Sequence, residues 1–253
     1  MTNEKNDIMN RPLASFVSIK IGLAFSLFLL VMLPKSLQAQ SLEDLKKSVG
    51  TLYAEGDLKG VIAICEKEIT KWENNPQKED EGYQQLFRLL GALYAENDDY
   101  RQSERTYLRL LDFQLKKFGE KSIRLAKTLE YLAEANFNLN EYKNAESYFD
   151  QAIRVYRING SDTTRGYFSL IESKALLYRY MGYYGESEKL YTDALTYFKR
   201  NEPGGVAYLG VISDLATLCM FKGDLSSAEK YYLEAINLHL KFEEPDLKNY
   251  VSV

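Results

Sequence analysis

The sequence predicts an all-α solenoid of about five antiparallel helix hairpins, and three observations carry that expectation. The first is recurrence at a fixed period. The stretches GDLKGVIAICEKEI (56–69), DDYRQSERTYLRLL (98–111), NEYKNAESYFDQAI (140–153), GYYGESEKLYTDAL (182–195) and GDLSSAEKYYLEAI (223–236) share one pattern of residue types. Their aromatic or leucine near the start, Leu58, Tyr100, Tyr142, Tyr184 and Leu225, lies 42, 42, 42 and 41 residues apart. A period of that size marks stacked supersecondary units that bury their apolar faces against one another. The second observation is the residue that opens each stretch: Gly56, Asp98, Asn140, Gly182 and Gly223. Gly, Asn and Asp tolerate the left-handed backbone that ends a helix sharply, so each marks a turn between two helices. The third is spacing by four within the downstream helix. Val61, Ser103, Ala145, Ser187 and Ala228 come first, then Cys65, Tyr107, Phe149, Tyr191 and Tyr232, then Ile69, Leu111, Ile153, Leu195 and Ile236. Offsets of four stay on one face of a 3.6-residue helix, so small, bulky and aliphatic side chains are expected to form one buried stripe.

Taken in order, the hairpins are expected at about 42–75, 84–117, 126–159, 168–201 and 209–243. Upstream helices supply matching faces: Leu90, Gly91 and Tyr94 in the second unit, Leu132 and Ala133 in the third. Ala175 and Tyr178 do so in the fourth, and Leu215, Ala216 and Cys219 in the fifth. Pro76, Gly119, Gly160, Pro203 and Pro245 break the helices between units, spaced 43, 41, 43 and 42. After Pro245 the sequence DLKNYVSV enters the phase of a further upstream helix, so residues 246–253 read as the start of a truncated repeat.

Ahead of the array, Ile21–Leu33 is an apolar run preceded by Arg11 and Lys20 and followed by PKSLQAQ. At about 1.5 Å per residue it falls short of a hydrocarbon core roughly 30 Å thick, so residues 1–39 read as a signal peptide cut after Ala39. The alternative is an uncleaved anchor extended by Leu13–Ile19. The mature chain would keep 28 basic and 34 acidic side chains, a net charge of −6. An acidic chain without a basic cluster has no electrostatic footprint for nucleic acid. The expected localisation is periplasmic or secreted, with membrane contact only through an uncleaved N-terminal segment. Cys65 and Cys219, in distant repeats, read as small buried hydrophobes and not as a disulfide.

These residues resemble the tetratricopeptide repeats. The family's alternation of Leu–Ala, small turn residue, aromatic, Ala, aromatic and Ala is present in Leu132-Ala133, Asn140, Tyr142, Ala145, Phe149 and Ala152. It returns in Leu215-Ala216, Gly223, Leu225, Ala228, Tyr232 and Ala235. The resemblance covers Leu42 to Glu244, and the period of about 42, longer than the usual 34, looks like kinesin light chain. Asn136 and Cys219 stand where an aromatic is usual, and Glu68 replaces the second Ala of the first unit.

The resemblance implies a right-handed superhelix whose concave face, lined by upstream helices, binds a protein or peptide segment. Carried over by position, that groove comprises Tyr53, Arg88, Lys127, Glu130, Glu134, Phe137, Asn138, Glu172, Arg179, Tyr180, Met220 and Phe221. Tyr53, Phe137, Tyr180 and Phe221 form a recurring aromatic that either grips a partner or packs on the neighbouring repeat; both readings stand. The family's carboxylate clamp would fall on Lys46 and Gly50, and the missing Asn argues against it.

Catalysis is not expected. The single His239 lies near the end of the fifth downstream helix and Cys219 near the turn of the same hairpin, on the order of 10 Å apart along the axis. No clustered metal ligands or phosphate-binding glycine loop is evident, so no cofactor or metal is expected. Two function classes remain. One is a free-standing exported adaptor; the other is the sensing arm of a longer chain, such as a caspase-like CHAT peptidase or a membrane-anchored signalling protein.

Overall fold

The computed structural model describes residues 39–74 and 80–243. The described residues form ten helices and no strand: α1 Ala39–Ala54, α2 Leu58–Glu73, α3 Asp80–Glu96, α4 Tyr100–Phe118, α5 Arg124–Asn138, α6 Tyr142–Ile158, α7 Arg165–Tyr180, α8 Tyr184–Asn201, α9 Val206–Lys222 and α10 Leu225–Glu243. They pair as hairpins α1/α2, α3/α4, α5/α6, α7/α8 and α9/α10, an all-α tetratricopeptide-like solenoid architecture. The expected signal peptide up to Gln38, Pro76 and the segment 246–253 lie outside the described residues. By compactness the chain divides into two units at Lys116 and Lys117.

Each hairpin turn is made the same way. Gly56, Asp98, Asn140, Gly182 and Gly223 all have positive φ, from 59° at Asp98 and Asn140 to 80° at Gly182. The N–H of the following residue reaches back to the carbonyl five positions earlier in all five turns: Asp57 to Leu52, Asp99 to Tyr94, Glu141 to Asn136, Tyr183 to Tyr178 and Asp224 to Cys219, at 2.8–2.9 Å. The turn residue's own N–H bonds three positions back, for example Asn140 to Phe137 at 3.0 Å. This is the double closure of a Schellman motif, satisfying carbonyls that a helix end otherwise leaves open. The next residue starts the downstream helix, and where it is Asp its carboxylate caps that helix. Asp57 accepts from the Gly60 N–H at 2.9 Å and Asp224 from the Ser227 N–H at 3.1 Å. A two-residue turn thus ends one helix and begins the next.

In the first unit the core is Val49 of α1, Val61, Ile62, Cys65 and Ile69 of α2, Leu86, Phe87, Leu89, Leu90 and Leu93 of α3, and Leu110 of α4. Gly91 lets the ring of Tyr107 lie on the α3 backbone, since a β-carbon there would come within 2.4 Å of the ring. Tyr83 is the hub of an aromatic group with Trp72, Phe87 and Phe113, at centroid distances of 6.1, 4.6 and 4.8 Å. Beside the core the Gln114 amide donates to the Gln84 carbonyl at 2.9 Å, both side chains being fully buried.

In the second unit Leu132, Ala133, Ala145, Phe149 and Ala152 fill the α5/α6 hairpin, and Leu170, Ala175, Leu177, Ala194 and Phe198 the α7/α8 hairpin. Val211, Ile212, Leu215, Ala216 and Cys219 supply the α9 side of the last one. Ser187, the small residue of the fourth repeat, is satisfied inside the core by donating to the Ala175 carbonyl at 2.8 Å.

The expected stripe needs one correction. Ile69 and Ile153 are buried, but Leu111 and Leu195 are only partly covered and Ile236 is 54% exposed. In the second, fourth and fifth repeats the deeply buried neighbours are instead Leu110, Ala194 and Ala235, one residue earlier, with Gln114 and Phe198 buried four residues after the first two; Trp72 is buried three residues after Ile69, and Ala152 beside Ile153. Repeated steps of four overshoot a 3.6-residue turn. Packed antiparallel helices therefore alternate steps of four and three to hold their seam.

Candidate interaction surface

The upstream helices of the second unit, α5, α7 and α9, carry ten of the twelve residues expected to line a groove. On α5 the Lys127 ammonium lies 2.8 Å from Glu130, whose side chain is buried, and over the ring of Tyr131. Glu134 is half-buried. Burial, with Glu130 adding and Lys127 opposing, pushes its carboxyl up to about 7. Asn138 is exposed and donates to the Glu134 carbonyl of its own helix at 2.8 Å.

Phe137 meets Tyr180 edge-on at 4.9 Å and Tyr142 at 5.8 Å, so two members of the aromatic series pack on each other across adjacent hairpins. Arg179 continues the line. Its guanidinium lies 5.2 Å from the Tyr180 ring centre and 5.5 Å from that of Phe221, within cation–π reach of both. Phe221 also stacks on Tyr184 at 6.2 Å, yet stays 48% exposed beside Met220 at 49%. Phe137 and Tyr180 therefore spend much of their surface on packing, whereas Met220 and Phe221 offer theirs to solvent.

A charged group that sequence reasoning only partly found lies on α7, α8 and α9. Arg179 stands 4.0 Å from Asp214, which was not among the expected residues. Glu172 is half-buried, and burial, reinforced by Asp214 and opposed by Arg165, pushes its carboxyl up to about 8. Burial likewise holds the Asp214 carboxyl above its usual range, against the pull of Arg179 and of the Tyr191 hydroxyl. Asp214 had a signal in the sequence: it is the one charged residue between Val206 and Phe221, in an otherwise apolar helix. Tyr191 had none, because its ring follows the core pattern.

The other two expected residues sit in the first unit. Tyr53 is half-buried and donates to Glu96 at 2.8 Å. Arg88 pairs with Glu81 at 3.6 Å, and its carbonyl accepts from the Tyr107 hydroxyl at 3.4 Å. Both cysteines are free and buried, and burial pushes Cys65 up to about 12 and raises Cys219, the wrong direction for a nucleophile. Among the described residues, no three His, Cys, Asp or Glu side chains converge as metal ligands, and no helix is long and apolar enough to cross a membrane.

Helical hairpins closed by Schellman turns and stacked at a 42-residue period define a class, the helical repeat proteins. Within it, residues 84–158 match the tetratricopeptide repeat family, and the fold of the described hairpins is similar to that of proteins with long repeats of the kinesin-light-chain kind. BtubC (BKLC) from P. vanneervenii is similar in structure at 14% identity, with 90% of this chain and 94% of that one covered and a TM-score of 0.72. A kinesin-light-chain-type protein of Podosopora anserina with nearly identical repeats is similar at 12% identity, 80% and 96% coverage and a TM-score of 0.67. The Rap conjugation gene regulator of plasmid pLS20, solved in complex with the Phr* peptide, is similar at 15% identity, 96% and 60% coverage and a TM-score of 0.60. No curated protein sequence matches the chain.

Proposed function

We propose that the chain is an exported scaffold that holds a protein or peptide segment against its upstream helices and carries out no chemistry of its own. The observation that carries this reading is the solvent-facing Met220–Phe221 pair beside Arg179 and Tyr180, on the face that hairpin repeats leave available for a partner. An exposed aromatic next to a guanidinium is the composition of an interaction hot spot. The peptide complex of the Rap regulator offers a precedent on the same architecture. Export rests on the N-terminal apolar run and its basic flank.

The test is a peptide-array screen read by fluorescence anisotropy with the full chain and with Phe221→Ser. Because Phe221 is half-exposed, the variant should keep its helix content and lose about tenfold or more in affinity for any selected peptide. Equal binding by both proteins would remove this face from the function. Fractionation with N-terminal sequencing tests export: a mature terminus at Gln40 is expected, and a cytoplasmic chain retaining Met1 would refute it.

A further inference from the structure

Two carboxylates of the second unit, Glu172 on α7 and Asp214 on α9, lie close enough that the charge of Asp214 acts on Glu172. Arg179 approaches Asp214 at 4.0 Å, and no cation among the described residues forms an ion pair with Glu172. Arg165, the cation that Glu172 senses, is engaged by Glu202 at 2.8 Å. With both acids ionised the cluster carries one negative charge in excess. Gly210 keeps room for it, since a β-carbon at that position would come within 3.2 Å of Glu172 Oε1.

A second observation is independent of the acids' charge. The Tyr191 side chain is fully buried and feels Asp214, Arg179 and Glu172, yet its hydroxyl makes no hydrogen bond of ordinary geometry with any of them. A buried hydroxyl left unpaired costs about 1–3 kcal/mol, so a polar atom beside carboxylates without a partner calls for one. The cluster is open on one side, where the Asp214 side chain is 29% exposed, and Phe221 stands at its edge.

We infer that Glu172, Asp214 and the Tyr191 hydroxyl form a seat for a basic side chain, a lysine ammonium or an arginine guanidinium, carried on the segment that the scaffold binds. The inference rests on the reading of this face as a peptide-binding surface and names the chemistry of what it takes. An ammonium has three donors and a guanidinium five, enough for two carboxylates and a hydroxyl, while the side chain's methylene stem lies along Phe221. A bare metal ion fits poorly, because no three metal-ligating side chains converge there among the described residues.

Burial keeps Glu172 largely protonated at neutral pH, with Asp214 of α9, Tyr191 of α8 and Arg165 of its own helix as the groups around it, while Arg179 of the same helix faces Asp214 and Tyr191. On α6, Asp150 and Glu146 face this helix elsewhere, engaged by Lys174 and Tyr178. A cation entering the seat therefore drives the proton off, and binding should strengthen as pH rises from about 6 to about 8.5.

The experiment measures anisotropy of two labelled decapeptides, one alternating Lys with Ala and Leu and one with Glu in place of every Lys, against the full chain. The variants are Glu172→Gln with Asp214→Asn and, as a control of equal charge change on the exposed face of α8, Glu186→Gln with Asp193→Asn. The expected result is binding of the Lys peptide alone, stronger at pH 8.5 than at pH 6, reduced about tenfold by the inner variant and within twofold of wild type in the control. Circular dichroism should show the inner variant folded and at least as stable as wild type, because it removes charge that burial opposes. Equal weakening by both variants, or equal binding of the Glu peptide, overturns the inference. If neither decapeptide binds but a neutral peptide from the array does so through Phe221, the seat is refuted and the scaffold reading stands. If nothing binds, both fail.

Discussion

Asp98 and Asn140 hold a left-handed backbone without being glycine, and each is tied down by the residue two positions on. The Tyr100 hydroxyl donates to Asp98 at 2.8 Å and the Tyr142 hydroxyl to Asn140 at 2.9 Å. Where the turn residue is Gly56 or Gly223, that later residue is Leu58 or Leu225, which has no hydroxyl to offer. Gly182 has φ of 80° and open space where a β-carbon would stand, so Gly182→Ala isolates the backbone cost. It should lower stability by about 1–2 kcal/mol in urea unfolding with an unchanged m-value. Glu172 gives a second residue-scale prediction. Its folded pKa of about 8 lies above the 4.5 of an unperturbed carboxyl, so the folded state holds the proton more tightly than the unfolded one. The stability contribution is then most favourable below about 4.5 and is lost as pH rises toward 8. Glu172→Gln should match wild type in Tm at pH 5 and exceed it at pH 8.5. A constant difference across that range would show that the carboxyl does not titrate there.

Between helices, the decisive quantity is how closely two backbones approach. Ala145 is fully buried on α6 against α5, and Gly91 on α3 receives the ring of Tyr107 from α4. Ala145→Trp should overpack its hairpin by about 1–3 kcal/mol or more, visible as a lower and broader melting transition; unchanged melting would mean the α5/α6 register is wrong. The helix hairpins and their turns were legible in the sequence because periodicity and left-handed residue types are local properties. The inner seam was legible only in part. Steps of four found Val61, Cys65, Ile69 and Ile153, but the drift of a real helix put Leu110 and Ala194 inward where Leu111 and Leu195 were expected. Of the candidate surface, Arg179, Tyr180, Met220 and Phe221 could be placed by repeat phase. Their division into packing and exposed members depends on the neighbouring hairpin, which phase does not encode.

At the scale of the molecule, each compact unit contains one buried thiol, Cys65 in the first and Cys219 in the second. Both should resist a thiol reagent at pH 8 in native buffer and react fully in concentrated urea. In a repeat array, where stability is a sum of local and nearest-neighbour contributions, the urea midpoints of the two labelling reactions report the two units separately. Rapid native labelling of either would contradict its burial. What the sequence by itself determined was the helical repeat: the 42-residue period, the turn residues and the helix ends, all set by interactions within a few residues of one another. What only the tertiary structure decided was which polar side chains share an environment. Glu172, Arg179, Tyr191 and Asp214 come from three helices, and their charge balance, burial and unpaired hydroxyl exist only once those helices are packed, because desolvation depends on what surrounds a group in space and not on its neighbours in the chain.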